Sequence, residues 1–394
     1  MKKSTAFLMA LACLLIGCFG TYLITTEVLS GGEGESGALA KGMEELYWYL
    51  DTSYYQDADL EQVNVGAYKG AITALGDPYS EYLTTAEYNS MLEEESGEYS
   101  GIGVTVSIDQ TTGYPYAVIV HKGSPAEAAG VQVNDLFMAI DGTPIDTTKS
   151  LSQIASELKG EEGTKIVVTV YRDNAPMEIE ITRGHVTIDK VEYRLLPDDI
   201  GYLKILEFNG NCIEGFDQAI AFFQAQGVRG IVLDLRDNPG GYVDYATAIA
   251  DALLPAGDIV TTRDKQGREQ TTRSDAKTLG LPISVLMNAG SASSSEILAG
   301  ALHDNEVGEI VGVTSFGKAL VQRYYPLRDS DGFLKITIAS YFTPGGTDIN
   351  GKGIEPDYEV ELAEEQVLKP STLTDENDLQ LKKAIEVLKP RMAQ

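Results

Sequence analysis

The chain has 394 residues, 43% of them hydrophobic, which is enough for two or three domains with ample core. Asp and Glu number 59 against 30 Lys and Arg, and a net charge of −29 argues against nucleic acid as a partner. The three histidines and three cysteines show no metal-type spacing and no phosphate-binding loop is present, so no metal and no cofactor is expected.

Residues 1–28 read as a membrane segment. Ser4 to Thr26 is apolar and uncharged, about long enough to cross a bilayer. Lys2 and Lys3 before it and Glu27 after it place the body outside the cytoplasm. The expectation is a single-pass anchor in the cell membrane with an extracytoplasmic body. A cleaved, secreted form and a lipoprotein cut at Leu15-Ile16-Gly17-Cys18 are the competitors, and the apolar stretch Phe19 to Ile24 argues against the lipoprotein. Only Cys212 lies beyond this segment, so no internal disulfide is available. Residues 29–37 form a Gly/Glu-rich linker.

Residues 38–94 are read as an N-terminal helical region, with Tyr47, Trp48, Tyr54 and Tyr55 at core positions or on a homodimer face. A β-rich module follows over 95–184. It opens on Tyr99-Ser100-Gly101-Ile102-Gly103-Val104 and contains Gly123 to Gly130 and Asn134 to Gly142. The helix-like Leu151 to Leu158 and the alternating strand Lys165 to Tyr171 complete it. This module resembles a PDZ domain, with Asn134 where glycine is usual. The resemblance implies that Ser100, Gly101, Ile102 and Gly103 hold a peptide's terminal carboxylate while the peptide adds as a strand.

From 185 to 362 strands and helices alternate, the pattern of an α/β layer. Gly230 to Arg236 is a buried strand. The turn Asp237-Asn238-Pro239-Gly240-Gly241 and a helix from Tyr242 to Leu254 follow it. The paired glycines could bring backbone N–H groups close to a ligand, or simply make a turn. Leu281 to Met287 is another strand, closed by Asn288-Ala289-Gly290, and a helix-like run begins near Glu296. Ser293 and Glu296 fit S-x-x-E, a capping box. Ser293 therefore caps a helix, and at the same position it can present a hydroxyl for chemistry. Ser291, Ser294 and Ser295 are open to the same reading. A serine needs a base, and no histidine here has surroundings that suit the role. Lys318, 25 residues after Ser293 and set among Phe316, Leu320 and Val321, is the natural suspect, with Gln322 placed to orient it. Residues 363–394 read as a polar helical tail that offers a dimer contact.

Taken together, SASSSEI at 291–297, FGKALVQ at 316–322, DLRDNPGG at 234–241, Gly345 to Asp357 and Gly76-Asp77-Pro78-Tyr79-Ser80 resemble the C-terminal processing peptidases, or tail-specific serine proteases. Ser294 stands where that family usually has alanine, and Ala319 where it usually has glycine. The resemblance implies an α/β fold, α+β over the whole chain: a serine–lysine peptidase core with an inserted PDZ module and helical segments at both ends. It implies Ser293 as nucleophile, Lys318 as general base and Gln322 as its partner. The oxyanion hole would be formed by the backbone of Ser294 with Gly240 or Gly241. The expected function is a membrane-tethered serine endopeptidase acting on proteins or peptides with an exposed C-terminus. The alternatives are a catalytically silent PDZ scaffold on the same fold and an acyl-CoA hydratase-like enzyme, which needs neither a PDZ module nor an anchor.

Overall fold

Short apolar runs bounded by turn residues assemble side by side into a six-stranded sheet. Its order is Val191–Leu196, Ile200–Ile205, Gly230–Asp234, Ile283–Met287, Gly308–Gly312 and Tyr358–Glu359. The first pair is antiparallel and every later pair parallel. Gly230–Asp234 and Ile283–Met287 are buried at every position, as parallel strands covered on both faces must be. The computed structural model describes residues 35–275, 277–328, 330–368 and 372–393.

Helices Cys212–Gln226, Val243–Leu253 and Ser294–Asp304 cover one face. Phe216, Ile249 and Leu298 meet Leu233 and Val285 there in the largest core cluster. The opposite face is covered by helix Leu379–Arg391, within the segment expected to be a polar tail. Leu381, Ala384 and Leu388 recur at helical spacing and pack on Val232, Leu286 and Val311. This α/β layer agrees with the sequence reading.

A second, antiparallel sheet runs in the order Glu81–Thr84, Gly332–Phe342, Asp258–Asp264, Glu269–Arg273, with Leu320–Pro326 also paired to Gly332–Phe342. The short strand Glu81–Thr84 falls inside the region read as helical; pairing with Gly332–Phe342, far away in sequence, makes it a strand. The third sheet, Val104–Ile108, Pro115–Val120, Leu136–Ile140, Lys165–Arg172 and Ala175–Thr182, closes with helix Leu151–Leu158 on its own core of Phe137, Ile154, Ile166 and Val168. The chain enters and leaves this module through one ribbon, Glu98–Gly101 against Gly184–Thr187. Asn134 has φ +72°, a left-handed conformation that asparagine tolerates well where glycine is usual.

Residues up to Gly76 form a separate compact unit, and Asp77 onward the main one. The described part of the first unit holds helices Glu35–Ser53 and Leu60–Thr73, the latter capped by Asp59. The second helix buries none of its residues. Trp48 and Tyr55 are 58% and 83% exposed and Tyr54 is also exposed, so the core reading of these aromatics does not hold. The expected anchor at 1–28 lies outside the described residues. Among the described residues no helix is long and apolar enough to cross a membrane.

Candidate active site

The strand Ile283–Met287 turns sharply into the helix Ser294–Asp304, and Ser293 stands at the corner with φ 55° and ψ −113°. A non-glycine residue there stores strain of about 1–3 kcal/mol, a cost that is characteristic of functional positions. Such a corner presents the serine side chain at the mouth of the helix.

The hydroxyls of the other three serines are engaged. Ser291 Oγ donates to the Leu235 carbonyl (2.7 Å), Ser294 Oγ to the Gly241 carbonyl (2.9 Å) and Ser295 Oγ to the Asn238 carbonyl (2.9 Å). Together they stitch the 291–295 turn onto residues 235–241. Of these four serines, Ser293 alone lines a cavity of about 190 Å³ that Lys318, Gln322 and Gly241 also line.

Glu296 holds the two halves of this site in register. Its Oε2 accepts the N–H of Ser293 (2.8 Å) and of Lys318 (2.9 Å), and its Oε1 accepts the N–H of Gly317 (2.7 Å) and the hydroxyl of Ser315 (2.6 Å). The residue is wholly buried. Tyr341 adds a second clamp, donating from its buried hydroxyl to the carbonyls of Ser293 (3.0 Å) and Lys318. The S-x-x-E spacing signals the Glu296 bond to Ser293. The bonds to residues 315–318 have no local signal.

Lys318 is half-buried, with its ammonium nitrogen 4.8 Å from the centre of the Tyr79 ring. Burial pushes its pKa down and the charge of Lys335 pushes the same way, with Glu296 and Asp77 opposing. The segment Asp77 to Ser80 thus comes to the site: Asp77 accepts from Ser80 Oγ (2.6 Å), and Ser80 Oγ accepts the Thr337 N–H (3.0 Å). Nothing in the local sequence points there; only the resemblance of the Gly76 to Ser80 motif singles it out. Gln322 follows a β-bulge that sets it opposite Thr337, and its amide donates to Thr337 Oγ1 (3.2 Å). It shares the cavity with Lys318 while its amide bond goes to Thr337.

Gly240 and Gly241 have φ +105° and +134°. A Cβ on Gly240 would lie 2.8 Å from the Ser293 Cβ, so only glycine allows this approach. The Gly240 N–H already donates to Asn238 Oδ1 (2.9 Å). That leaves Gly241, which lines the cavity, and the Ser294 N–H, in the first helical turn where backbone donors have no intrahelical acceptor. Ala319, where glycine is usual, is not in the left-handed region. Gly317 supplies that freedom instead, at φ +87°. Together these groups offer a serine hydroxyl, an amine of lowered basicity and backbone donors for an oxyanion.

In the β-rich module a groove of about 460 Å³ runs between Val104–Ile108 and helix Leu151–Leu158. Ile102, Gly103, Val106, Leu151, Ala155 and Leu158 line it. Of the expected carboxylate-binding residues, Ile102 and Gly103 reach the groove, whereas Ser100 and Gly101 sit in the entry ribbon, paired with His185 and Gly184.

Comparison with known proteins matches residues 199–360 to peptidase family S41 and residues 119–172 to a PDZ domain. A carboxy-terminal-processing protease of Bartonella bacilliformis is 36% identical over 327 residues, 80% of this chain and 74% of that protein. A carboxyl-terminal-processing protease of Synechocystis sp. is 34% identical over 354 residues, 86% of this chain and 81% of that protein. A solved structure of a photosystem II D1 C-terminal processing protease is 30% identical with a TM-score of 0.50, covering 81% of this chain and 86% of that one. The chain therefore belongs to peptidase family S41, among the carboxy-terminal-processing serine proteases, and carries a PDZ domain.

Proposed function

We propose that the protein is a membrane-tethered endopeptidase that selects substrates by their C-termini through the PDZ groove and cleaves them by a serine–lysine mechanism. Neutral Lys318 takes the Ser293 proton as Oγ attacks the scissile carbonyl. The oxyanion rests on the N–H groups of Gly241 and Ser294. Lys318 then returns its proton to the leaving amine, and an acyl-enzyme remains on Ser293. Water, deprotonated by Lys318, resolves it to a free carboxyl end. Gln322 orients the Lys318 side chain from the same cavity. The observation that carries this reading is that Ser293 shares one cavity with Lys318 while the hydroxyls of Ser291, Ser294 and Ser295 are bonded to backbone carbonyls.

The tether rests on the uncharged apolar run Ser4 to Thr26, with the body extracytoplasmic. The exposed aromatics of helix Glu35–Ser53 and its following turn suit a homodimer face. In the PDZ module, the N–H groups of Ile102 and Gly103 suit a terminal carboxylate. Purified protein should degrade unfolded casein, and Ser293→Ala should not, at unchanged melting temperature. Equal degradation by both would remove the reading. Fractionation of producing cells should leave the protein with the membrane; a soluble extracytoplasmic form would overturn the tether.

A further inference from the structure

Asn209 stands directly after Phe208, whose N–H donates to the Gly240 carbonyl and whose carbonyl accepts the Tyr242 N–H, each at 2.8 Å. The turn that follows is fixed. Cys212 N–H donates to the Asn209 carbonyl (3.0 Å), and a Cβ on Gly210 would lie 2.7 Å from the Ser96 carbonyl oxygen. Asn209 is thereby held beside the oxyanion turn, and the residue lines the cavity that holds Ser293 and Lys318. The residue is 2% exposed, and its Oδ1 is buried with no hydrogen-bond partner. Buried amide oxygens are nearly always paired, so an unpaired one in the wall of a reaction cavity calls for a donor that arrives with the substrate. Rotation about Cα–Cβ and Cβ–Cγ carries the whole carboxamide toward the cavity, where its oxygen can meet a donor without any backbone change.

The donor can be identified by its chemistry. Two cations near this wall are already engaged, Lys190 with Glu207 (2.8 Å) and Lys335 with Glu81 (2.9 Å). Glu95, Glu207 and Asn209 on the cavity wall would accept hydrogen bonds, so an anionic ligand fits them poorly. A polypeptide brings one main-chain N–H per residue, whatever its side chains. We propose that the Asn209 carboxamide is a substrate-binding residue that accepts a main-chain N–H next to the scissile bond. It would thereby select a polypeptide over an acyl compound lacking that group. This rests on the assignment of Ser293 and Lys318 above. A site built to bond an N–H discriminates strongly against an analogue without one, because its own polar group is left unpaired.

The test uses a synthetic peptide from unfolded casein carrying one mapped cleavage site, together with its ester analogues. In each analogue one N–H within two residues of the scissile bond is replaced by oxygen. With the full chain, one ester position should lower kcat/KM at least about tenfold. That penalty should fall to about twofold or less in Asn209→Leu, and likewise in Asn209→Ala should the leucine variant fail to fold. Ester penalties under twofold at every position in the unmodified protein would overturn the proposal, as would penalties that persist unchanged in both variants. Failure of the underlying assignment looks different: Ser293→Ala would then cut the parent peptide as fast as the unmodified protein.

Discussion

At the residue scale the proposed chemistry depends on a lysine that is neutral when it acts. Burial and Lys335 lower the pKa of Lys318, and a lowered value means the neutral form is present at lower pH than for an ordinary lysine. kcat/KM should therefore climb with pH as Lys318 loses its proton, below the ordinary lysine range. Lys335→Gln removes a neighbouring cation and should move the rising limb to higher pH; a limb that stays in place contradicts the electrostatic account. Lys318→Arg keeps the charge but cannot give up its proton, and should lower kcat/KM by about 10²–10⁴-fold without loss of folding. Gln322→Ala should lower turnover without abolishing it. The grouping of Ser293, Lys318 and Gln322 around one cavity was legible because their motifs are short and contiguous. Glu296 was legible only as a cap, since three of its four partners lie 19 or more residues further along the chain. Ser294 was legible as an unusual residue, while its bond to the Gly241 carbonyl needed the fold.

At the scale of elements, two buried charge centres hold the turns that carry the site. Glu296 ties the start of helix Ser294–Asp304 to the segment 315–318. Glu296→Gln turns an amide N–H₂ toward backbone donors and should cost about 2–6 kcal/mol, at about 1–3 kcal/mol for each donor left unsatisfied. A urea midpoint within error of the unmodified protein would contradict this. The second centre joins Arg236 to Asp234, on which its Nε lies 3.0 Å from Oδ1, and to Asp378 (2.9 Å) at the start of the C-terminal helix. Tyr202 completes it with a bond to Asp234 (2.7 Å). Arg236→Leu strands two buried carboxylates and should destabilise the fold by about 3–5 kcal/mol, measured by denaturant unfolding. The strand and the glycine turn of this centre were readable from DLRDNPGG, whereas its link to the C-terminal helix was not. Arg236 and Asp378 are brought together by the packing of Leu381 and Leu388 on the sheet, and in sequence that stripe is masked by the surrounding lysines and glutamates.

Across the whole molecule, one helix reaches both working surfaces. From Thr85–Ser96, Glu93 pairs with Lys159 at the PDZ groove (2.7 Å), and Glu95 accepts from the Tyr242 hydroxyl at the cavity that Ser293 and Lys318 line. A peptide seated in the groove would therefore lie against the same helix that lines the cavity. A peptide with a free apolar C-terminus should bind the groove and alter casein turnover. Its amidated form should bind much less well, because the carboxylate that the backbone N–H groups would hold is gone. Calorimetry giving equal affinities would remove the recognition account. The order of modules along the chain was legible from motifs, and so was the alternation that makes the α/β layer. Less legible was what depends on distant pairing: the strand Glu81–Thr84, the C-terminal helix as a covering layer, and the exposure of Trp48 and Tyr55.

In the proposed mechanism one of the four serines at 291–295 reacts and Lys318 activates it. The most direct measurement compares casein cleavage by Ser291→Ala, Ser293→Ala, Ser294→Ala and Ser295→Ala, each confirmed folded by its melting temperature. Ser293→Ala should give no cleavage, and the other three should keep residual cleavage, reduced to the extent that the turn loosens. Cleavage by Ser293→Ala at the unmodified rate, with loss in Ser291→Ala or Ser295→Ala, would contradict it.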